Sequence, residues 1–285
     1  MFENFIEKIK LDCIKPAYPQ SLLSANHTQR LQYFVSHTIV HKNLKKVTND
    51  TWRYLKSATK QKVVEVIGPS GIGKTTLVNK LEATINEQEW DNMLEHPGYI
   101  PVIAVEAGVP ERGVFNWREN LYWEILKKLN PEFVTYYEEK TRRAPTTHQV
   151  STAVKDAIIY RGTKYVIIDE AQHLGIGAPD NDRRTNNMDV LKSLANKTNC
   201  KMLLVGTYDL LKLINLNGQL SRRGRIVHFQ RYFPNISTDI KEFLEVVLDF
   251  QMHLPVPEMP DFITHAEELY EASLGCVGVI VDMRA

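Results

Sequence analysis

Eight consecutive residues, Gly68-Pro69-Ser70-Gly71-Ile72-Gly73-Lys74-Thr75, fit the pattern G-x-x-x-x-G-K-[ST] without a substitution. These residue types at this spacing can cradle a nucleotide's phosphates. The glycines allow a backbone path with several N–H groups pointing inward. Lys74 has the reach to meet the β- and γ-phosphates, the Thr75 hydroxyl is a Mg²⁺ ligand, and Thr76 completes the binding set. A second chemical pair, Asp169-Glu170, ends the apolar run Val166-Ile167-Ile168. Two carboxylates at the end of a buried strand are costly unless they face a cleft and a cation. Asp169 is therefore read as the second Mg²⁺ ligand and Glu170 as the group that orients water for attack on the γ-phosphate of ATP.

Positioning these groups requires a strand before the loop and a helix after it. Residues 62–67 are β-branched and short, as a buried strand should be, and residues 76–82 open a helix. Further strands are predicted at 99–106, 164–170, 200–207 and 226–229, separated by helices at about 114–129, 147–160, 188–197 and 210–214. Alternation of this kind predicts a parallel sheet flanked by helices, an α/β fold. Residues 130–146 read as a polar connection and 175–187 as a loop. Ahead of the sheet, residues 1–60 form a helical extension, with amphipathic stretches at 28–40 and 48–58. After residues 61–233, the chain becomes helical only, over 234–285.

Composition limits the classes available. A net charge of +1 excludes a strongly basic protein and leaves room for a basic stripe on one face. The three cysteines, Cys13, Cys200 and Cys276, are far apart and form no disulfide framework, which suits a reducing cytoplasm. No apolar run is long enough to span a bilayer, and the first residues lack a signal-peptide pattern. His27, His37 and His41 share no helix face and have no accompanying cysteine or carboxylate cluster, so they read as solvated.

The ordered set of phosphate loop, Asp169-Glu170, Leu204-Val205-Gly206-Thr207, Gln219-Leu220-Ser221-Arg222-Arg223-Gly224-Arg225-Ile226 and Leu274-Gly275-Cys276-Val277-Gly278 resembles AAA+ ATPases. With Val166-Ile167-Ile168-Asp169-Glu170-Ala171-Gln172-His173, it is most similar to the TnsC/TniB transposition regulators, relatives of IstB and MuB, over about residues 30–285. The resemblance implies a P-loop AAA+ core with a small C-terminal α-helical lid. It also implies a homo-oligomeric ring or helical filament on double-stranded DNA, which recruits or activates transposase subunits and works with a TniQ- or TnsD-type targeting protein. By the same resemblance, Arg222 and Arg223 match the arginine finger that enters a neighbour's ATP site, with Arg222 preferred, and Thr207 matches the sensor beside the attacking water. The region implied to face DNA contains Arg112, Arg118, Lys127, Lys128, Arg142 and Arg143, where phosphate contacts would be sequence-tolerant. One departure is that Val279 and Ile280 follow Gly278 where many AAA+ proteins carry a second-sensor arginine. Only Arg284 is near, so the lid is abbreviated or the chain is a fragment. Rival readings are a different AAA+ loader or signalling ATPase and a P-loop kinase acting on a small molecule.

Overall fold

The computed structural model describes residues 2–7, 9, 14–58, 61–111, 113–140, 144–177, 181–214 and 225–282. Among the described residues there are five strands: β1 (Val63–Ile67), β2 (Val102–Glu106), β3 (Tyr165–Asp169), β4 (Lys201–Gly206) and β5 (Arg225–His228). They form one sheet in the order β2-β3-β4-β1-β5, and every pairing is parallel. Val63 registers with Met202, and Val64 with Arg225, so β1 lies between the two strands that come last in the chain. All five residues of β1 are buried. A parallel sheet covered on both faces requires this of its inner strands, and β3 and β4 likewise read as near-continuous apolar runs, whereas the edge strand β5 is largely exposed.

Grouped by contacts, the chain forms two units. The sheet belongs to the unit made of residues 47–68 and 74–229. Its core joins strand residues Ile103, Val166, Ile168, Met202 and Leu204 to Leu121, Ile125, Val154, Ile158 and Leu191 from the helices. The helix Thr147–Tyr160 starts on a reciprocal cap in which the Thr146 side chain accepts from Gln149 N–H and the Gln149 side chain accepts from Thr146 N–H. The expected amphipathic helix at 114–129 is narrower and opens as a π-helical turn, Arg118–Tyr122, before the α-helix Trp123–Leu129.

Two further stretches differ from expectation. The connection at 130–146 contains a helix, Pro131–Thr135, followed by a π-helical turn, Tyr136–Lys140. Asn130 caps this helix by accepting from Phe133 N–H, and Pro131 occupies its first turn, where a missing N–H costs nothing. The helix expected at 188–197 runs from Asn181 to Thr198 and takes in much of the expected loop. Polar composition hid it, because Met188, Leu191, Leu194 and Ala195 suffice to anchor the longer helix.

The other unit comprises residues 1–46, 69–73 and 230–285. Helices His27–Ser36, Ser237–His253, Ala266–Ser273 and Val277–Asp282 enclose a second core containing Phe34, Phe243, Val247, Phe250, Ile263 and Tyr270. The rings of Phe34 and Phe250 meet edge to face at 5.1 Å. Among the described residues, no helix is long and apolar enough to cross a membrane.

Candidate nucleotide site

In doubly wound parallel sheets, ligands bind outside the carboxyl ends of the strands. Here β1 ends at Ile67, β3 at Asp169 and β4 at Gly206, and the N–H of Gly68, just past β1, donates to Gly206 O at 3.2 Å. Beyond β1, the loop backbone turns through Gly71 (φ +69°) and Gly73 (φ +101°), a region that side chains with a Cβ avoid. Val279 N–H donates to Gly71 O at 3.1 Å. A Cβ on Gly278 would lie 2.5 Å from that same oxygen, so glycine at 278 permits the close approach.

Lys74 opens the helix Lys74–Gln88 and is buried. The Thr75 hydroxyl donates to Asp169 Oδ2 at 2.9 Å, and Glu170 N–H donates to Asp169 Oδ1 at 2.9 Å. Burial pushes the Asp169 carboxyl above its ordinary value, and the nearby Glu170 adds to the push. The two hydrogen bonds and the Lys74 charge hold it down. A hydroxyl and a buried carboxylate this close form a hard-oxygen pair of the kind Mg²⁺ favours, and a cation there would offset the cost of burying the Asp169 charge. Thr75 and Asp169 therefore fit as holders of Mg²⁺.

Glu170 takes a left-handed backbone conformation, φ 50° and ψ 33°, which costs on the order of 1 kcal/mol or more for a non-glycine residue. Its carboxylate accepts from the Gln172 amide, and Gln172 Oε1 in turn accepts from Thr207 N–H at 3.1 Å. Gln172 thus bridges the acidic pair and the end of β4. A Cβ on Gly206 would come 2.6 Å from Gln172 Oε1, so a small residue there leaves room for the bridge. Sequence reasoning assigned Gln172 no role. The available signal was its position two residues after Glu170, where a one-turn 3-10 helix, Ala171–Gly175, brings the side chain back.

Thr75, Asp169, Glu170 and Thr207 therefore share one hydrogen-bonded set, with Lys74 acting on it by charge and Thr76 following on the same helix. Arg112, Arg142, Arg143, Arg222 and Arg223 lie outside the described residues. Of the remaining cations, Arg118 donates to Pro145 O at 2.9 Å and pairs with Glu119, and Lys127 pairs with Glu124 at 2.8 Å. Both line a cleft of about 380 Å³ that also presents Glu119, Glu124 and Glu138. Lys128 faces away toward Glu82, at 3.9 Å.

The profile of the Bacterial TniB protein family matches residues 29–233, which include the phosphate loop, the acidic pair and Thr207. The chain belongs to the TniB family. No curated protein sequence matches it significantly. Among solved structures, it is similar to the Walker-type ATPase PABY2304 of Pyrococcus abyssi (TM-score 0.51, 17% identity, covering 87% of this chain and 69% of that one). It is also similar to the Aeropyrum pernix ORC2 protein in its ADP form (TM-score 0.53, 16% identity, covering 89% of this chain and 65% of that one). The chain thus spans about two thirds of the length of either. At these identities the likeness speaks to fold, and this TniB-family chain has the P-loop AAA+ architecture: a five-stranded parallel sheet flanked by helices, with helices after it.

Proposed function

We propose that this chain is a Mg²⁺-dependent ATPase that assembles on double-stranded DNA as a homo-oligomer and recruits or activates transposase subunits, in concert with a TniQ- or TnsD-type targeting protein. The observation that carries the catalytic part is the connected set Thr75–Asp169–Glu170–Gln172–Thr207 at the carboxyl ends of β3 and β4 and the start of the helix Lys74–Gln88. Membership of the TniB family supports the transposition part. Thr75 and Asp169 would hold Mg²⁺, which when bound would supply positive charge to offset that of the phosphates. Lys74 binds the β- and γ-phosphates. Glu170, its carboxylate aimed by Gln172, orients a water in line with the γ-phosphate, and Thr207 lines the same space. Arg222 of a neighbouring subunit supplies positive charge as the transition state forms. Hydrolysis then serves as a timer on assembly.

Nucleotide titration of Lys74→Ala tests the site. ATP affinity should fall beyond detection, because the site loses its main cation for the β/γ-phosphate charge. Unchanged affinity would overturn the phosphate-site assignment. Electron microscopy with duplex DNA, with and without a non-hydrolysable ATP analogue, tests assembly. Rings or filaments should need both DNA and the analogue, and isolated subunits under both conditions would overturn the assembly reading.

A further inference from the structure

Sequence reasoning set His37 aside for want of a carboxylate. The fold supplies one from 212 residues away. His37 follows the helix His27–Ser36, while Asp249 and His253 stand one turn apart on one face of the helix Ser237–His253. One potential ligand atom from each of the three lies within 4.8 Å of the others. His37 Nε2 is 3.0 Å from Asp249 Oδ2, and His253 Nδ1 is 3.5 Å from Asp249 Oδ1. The first separation, between two candidate ligand atoms, is close to the roughly 3.3 Å edge of a tetrahedron whose metal–ligand bonds are about 2.0 Å long.

The surroundings favour ligation over a simple ion pair. His253 Nδ1 also lies 2.9 Å from Asp249 O, the backbone carbonyl one turn back. A ring that donates Nδ1–H to a carbonyl holds its Nε2 as the lone-pair nitrogen, an arrangement common for metal-bound histidines. The two imidazoles stack at 3.7 Å with their planes 13° apart, so one ring must turn about its Cβ–Cγ bond for both in-plane lone pairs to reach one ion. All three side chains are only partly buried, so an ion has access.

We propose that His37, Asp249 and His253 form a binding site for a divalent metal of the zinc class, with the remaining coordination position open to water or to another group. Two imidazoles and one carboxylate are the donors such an ion accepts, and the set is poorly suited to Mg²⁺ or Ca²⁺. The ion would clamp the segment after the helix His27–Ser36 onto the helix Ser237–His253, joining parts of the chain distant in sequence within one helical core.

The test uses the untagged full chain without nucleotide, in excess Mg²⁺ so that the Thr75–Asp169 pair does not compete. Titration with Zn²⁺, followed by equilibrium dialysis and metal analysis, should give one equivalent per chain. Co²⁺ should develop the visible absorption of a tetrahedral nitrogen–oxygen site. His37→Ala and His253→Ala should each weaken binding by at least tenfold, as should the nearly isosteric Asp249→Asn, which guards against simple loss of fold. His27→Ala should leave binding unchanged. Failure to bind one equivalent, or binding indifferent to the three ligand substitutions, would leave only a hydrogen-bonded His–Asp–His cluster and overturn the proposal.

Discussion

At the residue scale, Gln172 holds the most informative position. Its amide satisfies two partners of opposite kind, the Glu170 carboxylate and the Thr207 N–H. Glu170→Gln should preserve ATP binding and lower turnover by about 100-fold or more, since an amide keeps the size of the side chain and loses the charge that orients water. Gln172→Ala should do something different. It leaves Glu170 charged and unaimed, so turnover should drop by up to about 100-fold through misplacement. It also strands the Thr207 N–H, which should cost about 1–3 kcal/mol of stability. Parallel measurement of single-turnover hydrolysis and urea unfolding separates the two effects, and a Gln172→Ala protein with unchanged hydrolysis would remove Gln172 from the site. The residue types of the phosphate loop and the acidic pair were legible because their chemistry is fixed by spacing along the chain. Gln172 was not legible, because its role depends on a left-handed turn at Glu170 that returns the next side chains toward β4, and side-chain identity alone does not signal that backbone angle.

At the scale of the element, β1 carries a feature unrelated to nucleotide binding. Glu65 lies in the middle of the strand, 1% exposed, and its Oε2 has no hydrogen-bond partner. Burial pushes its carboxyl from 4.5 up to about 8, with the Lys192 charge pulling the other way. Between those values, the folded chain holds a proton that the unfolded chain releases, so this group's contribution to stability falls as pH rises through the window and levels off above about 8. The full swing is about 5 kcal/mol at about 1.4 kcal/mol per unit. Glu65→Gln should match the wild type near pH 5 and exceed its unfolding midpoint at pH 9. Equal midpoints at both pH values would show that Glu65 is solvated or paired. The strands themselves were readable because burial on both faces leaves apolar runs that no loop would carry. The helix from Asn181 and the short helix Pro131–Thr135 were harder, since their signals are one apolar stripe in polar sequence and one Asn-Pro cap.

At the scale of the whole molecule, the proposed function depends on a neighbour. Arg222→Ala should bind ATP and hydrolyse it poorly. Mixing it with Lys74→Ala, which offers an intact arginine and an empty site, should restore part of the activity, and no restoration would count against an arginine shared between subunits. DNA should stimulate the wild type by concentrating subunits, and the stimulation should fade with salt as phosphate contacts weaken. The pairing of residues 1–46 with residues 230–285 around a second core was invisible in the sequence, because no local pattern announces which distant helices share an apolar face. The strand order has its own consequence during synthesis. β1 is made early, yet its partner β4 follows about 140 residues later and β5 later still. At about 5–20 residues per second, the ribosome leaves this apolar strand without its neighbours for roughly 7–30 s. Nascent chains halted before β4 should therefore stay protease-sensitive and bind chaperones, and chains halted once β5 has cleared the exit tunnel should not.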